Sequence, residues 1–369
     1  MTREETLLRF LRSALWGKPE QLTGREMTQN QFQSLMQLAQ QQTVTGLVGQ
    51  ALMDSGLRLP RPAAAELYAL TSSIRQRNEV MNETVVKLCK EMERRGIRIM
   101  VFKGQTLAPL YPAPLLRQSG DVDFICHPDD WDRAEHYFRE ELKLEIEDNT
   151  TEKHLGFAID GVEYELHRSM VAFSRPKYQR YWEEVVMPEI WETAGFIEIN
   201  GTKVPTLSPM YNAIYVFIHI FHHLISEGVG LRQFCDWAMC VERLEVRGER
   251  LEVMEKHLEG IGLRKAFTGM GAILTDYLGL KAEDLPFSIT EEDHRRAPLL
   301  LQNIWEMGNF GKNVKYSQAR GVRHGLEHLV RIYQQARQFS YYAPAEAWWH
   351  IPYMFRWWGK KIRRMVGLG

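Results

Sequence analysis

The sequence predicts an α+β protein in which an α/β unit lies between two helical blocks. Apolar residues recur every three or four positions near both ends, as in Leu7, Leu8, Leu11 and Leu15, or Phe32, Leu35, Met36, Leu38 and Ala39. Between the blocks, short β-rich runs alternate with helical stretches, and two dipeptides, Asp160-Gly161 and Asn200-Gly201, carry the strongest short-range hairpin signal. The expected organisation is a helical region over 1–95, an α/β core over 96–205 and a second helical region over 206–369 that ends in an aromatic and basic tail.

The elements follow in order. Pro60-Arg61-Pro62 interrupts the first block, and Pro62 fits the opening turn of a helix that carries Leu67, Leu70, Ile74, Leu88 and Met92 and stops at Gly96. Residues 97–102 read as a strand, 103–111 as a turn into a short helix halted by Pro112 and Pro114, and 120–126 as a second strand. Pro128-Asp129-Asp130 opens a helix, with Asp129 in a position to cap it. Strands are expected near 144–148, 154–159 and 161–168, then a hairpin over 196–204. Helices follow over 211–225, 232–245, 250–260, 265–278 and 321–339.

Composition narrows the class. With 369 residues, 44% hydrophobic and 25% charged, the chain has material for a large core. A formal net charge of -1 supplies no global field for phosphate backbones, so duplex DNA is not an expected partner. Four cysteines without CxxC spacing suit reduced thiols and a cytoplasmic setting, and argue against a zinc site. The first 16 residues mix charges with helically spaced leucines, unlike a signal peptide, and no apolar run is long enough to span a bilayer.

Chemistry concentrates between Lys103 and Arg168. Asp121 and Asp123, two apart in a strand, project from one face while Val122 and Phe124 point into a core. Paired carboxylates of this kind hold divalent cations. A third is expected on a neighbouring strand, where Glu163, Glu165 and His167 alternate with Val162, Tyr164 and Leu166; Glu165 is the choice and Glu163 the fallback. Lys103 can place a point charge near phosphates, and Gly104 permits close backbone approach. All three acids offer hard oxygen donors, which suits Mg²⁺.

Taken in order, Lys103-Gly104, Tyr111-Pro112, Arg117, Asp121, Asp123 and Glu165-Leu166-His167 resemble the polymerase-beta-like nucleotidyltransferase superfamily, and more closely a bacterial family of nucleotidyltransferases within it. The likeness extends to Gly230-Leu231-Arg232 and Asp236, covering roughly 95–245. It implies a small mixed sheet backed by helices, an NTP donor such as ATP, Mg²⁺ as cofactor, and transfer of an NMP to an acceptor hydroxyl with release of pyrophosphate. In that role Asp121, Asp123 and Glu165 hold the metal and catalyse, while Lys103, Gly104, Thr106 and Arg117 meet the nucleotide. The superfamily's usual Gly-Ser turn is here Gly104-Gln105-Thr106, with the hydroxyl one residue later. The acceptor stays open: a sugar phosphate, a small molecule, a protein side chain or an RNA end.

Other readings stand beside this one. The altered turn also fits a degenerate module that binds nucleotide or a partner without turnover. His167 either orients an acceptor or packs. His219, His222 and His223 lie at helical spacing and read as packing first and metal ligands second. Arg232 and Asp236, four apart, read as a helix-surface ion pair or as groups reaching into the cleft. The tail combines Trp348, Trp349, Tyr353, Phe355, Trp357 and Trp358 with Arg356, Lys360, Lys361, Arg363 and Arg364, which suits a membrane surface in envelope-polysaccharide synthesis or simple aromatic packing.

Overall fold

The structure, a computed structural model, describes residues 2–148, 154–244, 248–311 and 322–365. Helices α1 (Arg3–Trp16), α2 (Gln29–Gln41) and α3 (Thr45–Asp54) precede α4 (Arg61–Arg94). Capping boxes start α1 at Thr2/Glu5 and α2 at Thr28/Gln31, where each Thr hydroxyl accepts from a backbone N–H that would otherwise lack a partner. Pro62 stands in the first turn of α4, whose 34 residues give it a length of about 51 Å. Gly96, at φ +65°, lets the chain leave that helix.

The middle of the chain contributes β1 (Ile99–Phe102), α5 (Gly104–Leu107), β2 (Val122–Cys126), α6 (Trp131–His136), β3 (Glu147–Asp148), β4 (His154–Ile159) and β5 (Val162–His167). Next come α7 (Pro176–Tyr181), α8 (Met187–Glu192), β6 (Gly195–Ile199) and β7 (Thr202–Thr206). The sheet order is β1-β2-β5-β4-β3, with β2 parallel to β5 and the remaining pairs antiparallel, while β6 and β7 form a separate hairpin. Both expected turns occur: Asp160 and Gly161, like Asn200 and Gly201, have positive φ, as a two-residue turn matched to strand twist requires.

Helices α9 (Pro209–Ser226), α10 (Leu231–Glu242), α11 (Glu249–Gly260), α12 (Arg264–Asp276), α13 (Glu291–Met307), α14 (Val322–Phe339) and α15 (Pro344–Met365) complete the fold. They share one core with the N-terminal helices, since Phe10, Phe32 and Leu47 are buried in the same cluster as Phe217, Trp237 and Phe267. Trp16 Nε1 donates to Leu278 O at 2.7 Å across that junction.

A second core backs the sheet. Val122, Phe124, Tyr164 and Leu166 pack there against Met81, Val85, Leu88 and Met92 of α4 and Phe138 beyond α6. Burying each such apolar side chain stabilises the fold by about 1.5–3 kcal/mol. The strand β1 divides its residues between the cores, with Ile99 and Val101 toward α4 and Met100 and Phe102 toward the helical side. The sheet is therefore covered on both faces there, and Asp123 of β2 faces the helical side.

Asp129 does not cap α6. Its neighbour Asp130 is drawn away to Arg98, accepting from both the backbone N (3.0 Å) and Nε (2.7 Å). No helix among the described residues is long and apolar enough to cross a membrane. In the predicted tail, Trp348, Trp349 and Phe355 are exposed on α15. The side chains of Trp357, Trp358, Lys360, Lys361, Arg363 and Arg364 lie outside the described residues.

Candidate functional site

Parallel pairing of β2 with β5 sets Asp123 opposite Glu165, and side-chain alternation puts both on the same sheet face as Asp121. Carboxylate oxygens of Asp121, Asp123 and Glu165 all lie within 4.8 Å of one another. Glu163, the fallback third acid, is exposed and lines the cavity beside Asp121 and Asp123, but it is not part of this close group. A group of three hard oxygen donors fits a divalent ion such as Mg²⁺, and their mutual repulsion is what such an ion would relieve.

A lysine and a histidine lean on Asp123. Lys103 Nζ donates to its Oδ1 at 3.1 Å, and His167 Nε2 lies 2.8 Å from the same oxygen. Burial alone would raise this carboxyl; the Lys103 charge and the His167 hydrogen bond outweigh it and hold Asp123 well below the usual carboxylate range. His167 responds in the opposite sense, since burial lowers it but hydrogen bonds to Asp123 and Glu165 raise it above the ordinary imidazole value. The same contact, at 3.3 Å, lowers Glu165. At Asp121 the balance reverses: burial, then the Asp123 charge, outweigh the Lys103 charge and push it up to about 6.

Lys103 sits at the bend between β1 and α5 with φ +57° and ψ −151°, a backbone state that costs a non-glycine residue about 1–3 kcal/mol. Gly104 follows at φ +38°, and a Cβ there would stand 3.3 Å from Asp121 O. The bend thus brings the backbone against the acidic strand. Thr106 is not poised toward a ligand: its buried hydroxyl donates to Lys103 O at 2.8 Å and braces the bend.

Arg117 is also committed internally. Its Nε and Nη2 donate to Asp236 Oδ1 and Oδ2 at 2.9 and 2.7 Å, with Tyr111 Oη adding a third bond to Oδ1 at 2.7 Å. Asp236 therefore pairs with Arg117, not with Arg232 four residues away. Asn78 of α4 holds this loop by donating to Leu115 O and Arg117 O, and Arg232 Nη1 donates to Gln118 O at 2.9 Å. Arg232 Nε is buried with no hydrogen-bond partner among the described residues.

Two cavities meet at Lys103 and His219. One, of about 420 Å³, is lined by Gly104, Ser119, Gly120, Asp121 and Arg232. The other, of about 450 Å³, is lined by His154, Glu165, His167, Tyr215, His222 and His350. His219 and His223 meet edge to face at 4.3 Å between ring centroids, and burial followed by the Lys103 charge lowers His223 to about 3. They are neutral groups lining a cavity, and they do not converge on a metal-sized cluster among the described residues.

Arg232 lines the smaller cavity, in line with the reading of that residue as a group reaching into the cleft, whereas His154 as a neighbour of Glu165 belongs to none of the motifs. His154 was reachable, because counting outward from Asp160-Gly161 pairs it with His167.

No curated protein matches the sequence. Among solved structures, the crystal structure of an antigenic nucleotidyltransferase-like protein from Paracoccidioides brasiliensis is similar to 54% of this chain and 92% of that one, at 17% identity and a TM-score of 0.34. The profile of a family described as "Uncharacterised nucleotidyltransferase" matches residues 28–279, more than half of the chain. That span begins at the cap of α2, takes in the whole acidic site and ends just past α12, and the protein accordingly belongs to the uncharacterised nucleotidyltransferase family.

Proposed function

We propose that this nucleotidyltransferase moves an NMP from an NTP to an acceptor hydroxyl in a Mg²⁺-dependent reaction that releases pyrophosphate. The observation that carries the reading is the convergence of Asp121, Asp123 and Glu165 from two adjacent parallel strands. Bound there, Mg²⁺ would neutralise the charge that develops on the transferring phosphoryl group.

The chain's own residues divide the remaining work. Gly104 and the backbone around Gly120 open the smaller cavity to a triphosphate, and Arg232 and Lys103 supply positive charge beside it. Arg117 positions that wall through Asp236 and Ser119 instead of touching phosphate. An acceptor in the histidine-lined cavity would approach the α-phosphorus from the Glu165 side. Its oxygen bonds to that phosphorus as the bond to pyrophosphate breaks, and its proton leaves to solvent. The position of Glu165 separates an active site from a degenerate binding module, and its approach to both aspartates favours the enzyme.

Calorimetry with each NTP, with and without Mg²⁺, tests this. Metal-dependent binding of at least one NTP that Asp121→Ala abolishes is the expected result; absence of such binding by every NTP overturns the reading.

A further inference from the structure

We infer that the protein carries a second, chemically different metal site, formed by His154, His167 and Glu165, that prefers a borderline divalent ion such as Zn²⁺ or Co²⁺ over Mg²⁺. The hairpin β4/β5 sets His154 directly opposite His167, and alternation puts Glu165 on the same face. One donor atom from each of the three lies within 4.8 Å of the others.

The spacing also fits coordination. A tetrahedral ion with bonds of about 2.1 Å sets its ligand atoms about 3.4 Å apart. His167 Nε2 is 3.3 Å from Glu165 Oε2, and His154 Nε2 is 3.7 Å from Glu165 Oε1. The second distance is long for a hydrogen bond and close to a coordination edge. Two imidazoles and one carboxylate make a donor set that suits zinc and its neighbours, whereas Mg²⁺ prefers oxygens alone.

The position has consequences. Glu165 belongs to this group and to the all-oxygen group with Asp121 and Asp123, so two ions of unlike preference would share one carboxylate. His154, Glu165 and His167 also line the larger cavity, which gives the open side of the ion access to solvent or to an acceptor group. His167 Nε2 lies 2.8 Å from Asp123 Oδ1, a contact that coordination through the same nitrogen would replace.

The test uses the full chain, stripped with chelator and titrated with Co²⁺ in the presence of excess Mg²⁺. One Co²⁺ per chain, with visible absorption bands, is expected to survive the Mg²⁺. His154→Ala should weaken Co²⁺ binding more than about tenfold. His154→Cys should add a thiolate-to-cobalt charge-transfer band that the wild type lacks, because its four cysteines are buried. Asp121→Asn should lose Mg²⁺-dependent NTP binding yet retain the cobalt spectrum, which separates this site from the proposed catalytic one. Displacement of Co²⁺ by Mg²⁺, unchanged Co²⁺ affinity in a folded His154→Ala, or no new band in a folded His154→Cys would each overturn the assignment; circular dichroism establishes folding.

Discussion

Arg117 and Asp236, 119 residues apart, face each other side-on through two parallel hydrogen bonds in a buried position at the wall of the smaller cavity. Bidentate pairing of this kind fixes orientation as well as charge. Removing one partner strands the other in a dry environment. Asp236→Ala is expected to lower unfolding free energy by about 3–5 kcal/mol, and Arg117→Lys to rescue little because an ammonium lacks the fork. Urea unfolding of the two variants checks this, and a loss under about 1 kcal/mol for Asp236→Ala would contradict the role given to the pair.

Asp121 should behave differently. Burial and the Asp123 charge both oppose its ionisation, so Asp121→Asn is expected to stabilise the metal-free protein by about 1–2 kcal/mol after allowance for solvent screening. The same change should cut turnover by more than about a hundredfold, about 2.7 kcal/mol of barrier. Thermal melts in chelator, paired with pyrophosphate release assays, would show stability and activity moving in opposite directions.

The pH dependence has a definite sign. Asp121 is raised to about 6, so protons compete with a cation below that value and leave above it. Mg²⁺-dependent nucleotide affinity should weaken up to about tenfold per pH unit below about 6 and flatten above about 7. Because the folded carboxyl binds its proton more tightly than the unfolded one, the metal-free fold should lose stability as pH rises from about 4 to about 6. Calorimetry and unfolding curves across that window measure the two effects separately.

At the bend, Gly104→Ala would set a methyl group 3.3 Å from Asp121 O at a residue with φ +38°. A stability loss of about 1–3 kcal/mol is expected, with weakened metal-dependent NTP binding as β2 shifts. Thr106→Val, which deletes the brace to Lys103 O without touching the acids, should cost about 0.5–1.5 kcal/mol and leave metal affinity within about threefold.

Local rules made much of this architecture legible. Two Asx-Gly turns located both hairpins, Pro62 and Gly96 bracketed the longest helix, and alternation assigned Asp121 and Asp123 to one face and Val122 and Phe124 to the other. The convergence of Glu165 needed one further inference, that its strand neighbours β2. What stayed hidden was long-range. No spacing rule links Arg117 to Asp236 across 119 residues, so Arg117 read as a free phosphate ligand and Asp236 as a partner of Arg232. Thr106 was hidden for a different reason, since only the backbone state of Lys103 turns that hydroxyl inward.

Helix α4 carries a last implication. Its first half contributes Ala63 and Leu67 to the helical core, while its second half, from Met81 to Met92, forms the rear wall of the acidic sheet. Melting either half frays the scaffold of the other, so the chain should denature in a single cooperative step. A fragment trimmed to 96–205 would leave Val122, Phe124 and Leu166 facing water and should aggregate: the reactive centre is not a transplantable cassette.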